Sequence, residues 1–182
     1  MTNIQMLEDI AMELRANNTA VIAVSKIPFR REFRAACRQN TCGKFGRCWM
    51  CPPDVGDIDE MIAHAKTRRL AFVFQTVTEL EDSFDFEGMQ AAAIRHNKLL
   101  RSLTRKAKKL IQNPIKMGAG ACHVCNKCTK IDEKPCRHPD KATTSMESYG
   151  VSVSELAELC GLKYINGPNT VTYFGAILFT LL

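Results

Sequence analysis

Eight of the nine cysteines fall into two groups of four, Cys37, Cys42, Cys48, Cys51 and Cys122, Cys125, Cys128, Cys136, with Cys160 standing alone. Thiols used only for packing scatter along a chain; two quartets mark two sites, and each quartet needs a stretch of irregular backbone to gather its sulfurs. Nine cysteines in 182 residues fall short of the density of a disulfide-knit scaffold. The opening residues MTNIQMLEDIAMEL carry acids where a secretory leader needs bases and an apolar run, and the longest apolar stretch, 171–182, is too short for a bilayer. A cytoplasmic chain without membrane attachment is therefore expected, in a compartment that keeps thiols reduced. Reduced, clustered thiols there imply metal.

The second segment, 118–144, contains GAGACHVCNKCTKIDEKPCRHP. Its C-x2-C-x2-C run, with a further Cys-x-x-Pro beyond it, is close to the bacterial ferredoxin spacing, in which one loop directs three thiolates at three irons of a cubane. A tetrahedral zinc site more usually takes two C-x2-C pairs from separate turns. The preceding glycines permit close backbone approach and let N–H groups face sulfur. The first segment, 29–55, contains CRQNTCGKFGRCWMCPP; its four cysteines are less diagnostic in spacing, and Phe45 and Trp49 are placed to shield a cluster or to serve as core. All eight cysteines are candidate ligands: Cys37, Cys42, Cys48 and Cys51 of one [4Fe–4S] cluster, and Cys122, Cys125, Cys128 and Cys136 of another. Zinc is the alternative.

Charge agrees with this assignment. A [4Fe–4S] unit with four thiolates is an anion in a partly dry site, and nearby cations lower its cost. Arg30, Arg31, Arg34, Arg38, Lys44 and Arg47 surround the first quartet, and Lys127, Lys130, Lys134, Arg137 and Lys141 accompany the second. The formal charge of +6 counts thiols as neutral; two such clusters would lower it to about +2.

Hydrophobic periodicity predicts helices over 3–16, 58–68 and 87–112, and a shorter one ending at Cys160. Asp57 with Glu60, and Ser152 with Glu155, read as capping boxes. The inner stripe of the long helix is Ala93, Leu100, Leu103, Ala107 and Leu110, and Pro114 ends it. Strands are predicted over 19–27 and 70–77, the second a central strand covered on both faces. A closing hairpin joins 162–165 to 170–178 through the turn NGPN. The result is an α+β fold, a small mixed sheet with packed helices, in a single domain over 1–182 from which two irregular cysteine-rich loops emerge.

The motifs Cys42-Gly43-x-Phe45-Gly46-x-x-Trp49-x-Cys51-Pro52-Pro53 and Gly118-Ala119-Gly120-x-Cys122-x2-Cys125-x2-Cys128, continued by Lys134-Pro135-Cys136-Arg137-His138-Pro139, resemble those of domain of unknown function 2284. Ser145-x-Glu147-x-x-Gly150-Val151 and the closing VTYFGAIL fit as well. The resemblance implies a metal-binding protein of anaerobes, with iron–sulfur as the expected metal, and carries no reaction. In that pattern the position of Cys48 varies, whereas those of Cys37, Cys42 and Cys51 do not. If Cys48 is not a ligand, the first site has three thiolates of its own, and either Cys136 crosses to it or one iron stays open.

Among the remaining residues, Cys160 reads as a core thiol and His138 as a loop-fixing residue. His123 is expected to point away from its neighbours' metal, and His64 and His96 to sit at the surface or core edge. No Ser/His/Asp set, H-E-x-x-H or phosphate loop is present. The long helix carries Arg95, Lys98, Arg101, Arg105, Lys106, Lys108 and Lys109, with no acid from Gly88 through Ile131. This basic face is either solvated surface or a dock for an acidic redox protein such as ferredoxin or flavodoxin. Nucleic acid is disfavoured for want of a stacking platform. Three functions follow: a two-cluster electron carrier, an enzyme with an open iron acting as a Lewis acid, or a zinc-bound interaction module.

Overall fold

The computed structural model describes residues 2–181. Its strands are β1 Asn18–Ala23, β2 Leu70–Glu79, β3 Ile111–Gly118, β4 Thr144–Ser145 and β5 Thr170–Leu181, joined into one sheet in the order β1-β2-β5-β3-β4. Neighbours are antiparallel except β3 and β4, which run parallel, so the sheet is mixed. Successive side chains of a strand point to opposite faces, and β2 divides its apolar run accordingly. Ala71 and Val73 enter one core with Met61, Ala65, Leu156 and Ala157 from helices α3 (Ile58–Lys66) and α5 (Val153–Leu159). Phe72 and Phe74 enter the other with Leu7 and Ala11 of α1 (Asn3–Glu13) and Leu99, Leu100 and Leu103 of α4 (Phe86–Lys106). The fold is α+β, and β2 is covered on both faces, as the sequence predicts.

Several elements depart from expectation. The first helix ends at Glu13, and β1 stops at Ala23, where a 3-10 turn, Val24–Lys26, precedes Pro28. A short helix, α2 (Arg31–Ala36), occupies part of the first cysteine segment. Asp57 caps α3 as predicted, accepting from the N–H groups of Asp59 and Glu60. Ser152 stands at the N-cap of α5 without a side-chain cap bond, and Glu155 instead forms a two-point ion pair with Arg30. The long helix α4 ends at Lys106. Its buried side includes Ala92, His96, Asn97 and Thr104 besides the leucines, while Ala93 and Leu110 are only half-buried.

The chain then enters the sheet as β3, a strand not predicted. Pro114 does not terminate a helix; it sits in a bulge of β3, beside Asn113 with φ +48°. Pairing with β4 begins only at Met117, so the missing N–H of Pro114 costs no bond on that side. The predicted closing hairpin is absent. Residues 163–165 are exposed, and β5 pairs with β2 and β3, which occupy both of its edges.

These departures place the cysteine segments. Residues 119–143 leave the C-terminal end of β3 and return as β4, with Met117 opposite Thr144 and Gly118 opposite Ser145. The first segment is tied to the same end of the sheet by the bridge of Phe29 to Val151 and by the bond from Arg30 N–H to the Gly150 carbonyl.

Candidate metal centre

The two loops lock together through side chains between the cysteines. Trp49 Nε1–H donates to the Lys134 carbonyl at 2.8 Å. Lys130 Nζ lies 2.8 Å from Asp54 Oδ1 and 4.6 Å from the centroid of the Trp49 ring. The Lys130 and Asp54 side chains are 13% and 16% exposed, so this pair is far drier than the rim pair of Lys127 with Asp132.

The thiols line cavities that do not follow the order of the quartets. A cavity of about 330 Å³ is lined by Cys48, Cys122, Cys125 and Cys128. A small recess against those four sulfurs adds Cys136, Trp49 and His138. A separate cavity of about 240 Å³ is lined by Cys37, Cys42 and Cys51, with Phe45, Pro52, Ala121 and Glu147. Cys48 thus lines the larger cavity with thiols of the second segment, and Cys136 lines the recess beside it. Cys51 N–H bonds to the Cys48 carbonyl across a tight turn, in which Cys48 lines the larger cavity and Cys51 the smaller.

At this junction the two thiols lie near enough to perturb each other. Cys48 is held below the ordinary thiol range, chiefly by its interaction with Cys51 and further by N–H groups of Met50 and Cys122 and the thiol of Cys128. Cys51 is raised in turn, because it keeps the proton that the pair shares and is itself buried. In the first cavity, burial raises Cys37, and the carboxylate of Glu147 adds to the effect. Arg34 opposes it while bonding to the Ser148 and Gly56 carbonyls. Burial also raises Cys122, against the backbone N–H groups of Thr143 and Val124 that face its sulfur.

Lys44 and Arg47 of the first cysteine segment and Lys127 of the second line the larger cavity. Lys127 and Lys130 pair with Asp132, Asp54 and Glu133, and Arg137 donates to the Lys127 carbonyl. From outside the cysteine segments, the charges of Arg101 of α4 and Lys116 of β3 also act on Cys122. Arg101 is lowered by burial, and its Nη1 is buried with no hydrogen-bond partner. His123, expected to point away, lines the cavity; burial and the charges of Lys44 and Arg101 lower it. Arg101 and Lys116 were missed because their signal, a cation with no acid nearby in sequence, reads equally as solvated surface.

Asn97, also missed, fixes the loop ahead of Cys122. Its side-chain amide donates to the Ala119 carbonyl at 2.7 Å, and its Oδ1 accepts from Ala119 N–H at 3.2 Å. This two-point clamp explains Gly118, where a Cβ would come within 2.1 Å of Asn97 Oδ1. Cys160 is half-buried against the core formed with α5, as expected. His96, expected near the surface, is fully buried: it stacks on Phe74 and shares a 2.8 Å bond with Thr76.

Among the described residues, no three His, Cys, Asp or Glu side chains meet closely enough to share a single metal ion. The sulfurs ring cavities instead. The family described as predicted metal-binding protein (DUF2284) matches residues 20–179. The chain belongs to this family. The match takes in both cysteine segments, β2, β3 and β4 whole, β1 from Ala20 and β5 as far as Phe179. Neither a curated protein nor a solved structure matches the chain. Among the described residues, no helix is long and apolar enough to cross a membrane.

Proposed function

We propose that this member of the predicted metal-binding family holds two [4Fe–4S] clusters, one in each cysteine-lined cavity, and passes single electrons between partners. The observation that carries the reading is that four thiols surround a space of about 330 Å³ without three of them converging on a point. A tetrahedral zinc ion, with its Zn–S bonds of about 2.3 Å, needs its thiolates drawn together. A cube of iron and sulfide needs them held apart around its corners. An iron–sulfur cluster supplies a one-electron store whose potential follows its charge, burial and hydrogen bonds.

The chain's own residues suit an anionic occupant. A guanidinium that holds a buried, unpaired N–H is costly unless an anion faces that group. Arg101 is such a group, beside Cys122, and Lys116 reinforces it. Backbone N–H groups of Met50, Cys122, Val124 and Thr143 face the sulfurs of Cys48 and Cys122, adding fixed positive dipoles. The proximity of Cys48 to Cys51 sets the two cavities side by side, which suits transfer between them.

The helix that supplies Arg101 carries Arg95, Lys98 and Arg105 exposed, and the turn after it adds Lys108 and Lys109. This favours an acidic redox protein such as a ferredoxin or flavodoxin as partner, since opposite potentials speed encounter. Reduced thiols suit a cytoplasmic setting. The test is metal and acid-labile sulfide analysis of protein purified without oxygen. Iron and sulfide in equal amounts, with brown colour, are expected; stoichiometric zinc in colourless, folded protein would overturn the reading.

A further inference from the structure

We infer that the first cavity grips its cluster by only three thiolates, those of Cys37, Cys42 and Cys51, and offers the fourth position, beside Glu147, to a small neutral oxygen donor such as water or an alcohol. This rests on the two-cluster reading above. Of the four cysteines in the first segment, these three line the cavity of about 240 Å³, whereas Cys48 lines the larger one. Cys136 lies in the recess of the second site, so it does not complete the first. The second site has thiols to spare, with Cys48 and Cys136 both available beside the C-x2-C-x2-C run.

The lining selects the ligand class. Besides the three thiols, the cavity presents Phe45, Pro52 and Ala121 as apolar wall, and Glu147 as its charged group. Ser145 and Ser148 also line it, but their hydroxyls are 3.1 Å apart and bond to each other. No lysine or arginine lines the cavity, and Arg34 spends its donors on the Ser148 and Gly56 carbonyls and Met61 Sδ. An anionic ligand would meet a carboxylate and an anionic cluster with no cation in the lining to offset them. A neutral hydroxyl compound donates a hydrogen bond to Glu147 and presents a lone pair to iron, which acts as a Lewis acid.

The full-length protein, purified anaerobically, is oxidised with ferricyanide. An iron held without thiolate leaves readily: the cluster gives one electron to ferricyanide, releases one ferrous ion, and becomes a three-iron cluster visible by electron paramagnetic resonance. Wild-type protein is expected to lose one of its eight irons, regaining it on reduction with added ferrous ion. Cys48→Ser should keep this three-iron signal, and Cys51→Ser should abolish it. Glu147→Gln should keep both clusters and change only the reduced spectrum of the first, and that spectrum should broaden in water enriched in a magnetic oxygen isotope. Loss of the first cluster in Cys48→Ser, no three-iron signal in wild type carrying full iron, or a Glu147→Gln spectrum identical to wild type would each overturn the inference while leaving the two-cluster reading intact. Wild type without iron and sulfide would instead overturn that reading.

Discussion

Arg101 and His96 lie on the same helix and are withdrawn from water to different degrees, with opposite consequences. Arg101 is only half-buried and keeps its charge, which acts on Cys122, while its Nη1 is buried with no partner among the described residues. A charge-assisted hydrogen bond of about 1.5–3 kcal/mol corresponds, for a one-electron couple at 59 mV per tenfold, to a potential change on the order of 100 mV. Arg101→Met is therefore expected to make the second cluster harder to reduce by about that amount, with Arg101→Lys between the two, as measured by anaerobic redox titration. His96 instead loses its charge: burial lowers it to about 4 from an ordinary 6.5. The unfolded chain then binds more protons than the native one between these values, so stability rises with pH there. Stability from this residue is complete above pH 6.5 and is lost as pH falls toward 4, on the order of 3 kcal/mol. Denaturant unfolding at both ends of this window should show the slope, and His96→Phe should flatten it.

At the scale of elements, the clamp of Asn97 on Ala119 joins α4 to the strand that launches the second loop. Gly118→Ala would drive a Cβ into Asn97 Oδ1 at 2.1 Å and should deplete cluster content at the second site. Gly120→Ala is the contrast: φ is +64° but nothing lies within 4 Å, so the cost is backbone strain of about 1 kcal/mol with the clamp intact. Thermal melts and iron content of the two variants distinguish these outcomes. The cap of Asp57 on α3 and the doubly buried β2 were legible in sequence, because capping and apolar runs are local signals. β3 was not legible: Lys108 and Lys109 extend the helical pattern, and Pro114 reads as a stop unless the bulge that tolerates it is seen. The membership of Cys48 was hidden for a similar reason. Spacing fixes that Cys48 and Cys51 share a turn, but only the fold decides which cavity each side chain enters.

For the whole molecule, the proposed function needs a docking surface, and the exposed bases of α4 and the turn after it are the candidate. Arg101 is half-buried, so charge reversal is informative at Arg105 and Lys108, which are exposed. Arg105→Glu with Lys108→Glu should slow electron exchange with an acidic donor at least several-fold at low salt and converge with wild type at high salt, where screening removes the difference. Equal rates at low salt would place docking elsewhere. The central claim is that two iron–sulfur clusters occupy neighbouring cavities that meet at Cys48 and Cys51. Electron paramagnetic resonance of the fully reduced, anaerobic protein tests this most directly. Two clusters so placed should give a broadened spectrum from interacting spins, integrating to two per chain. A single sharp, isolated signal, or none from folded protein, would contradict the account.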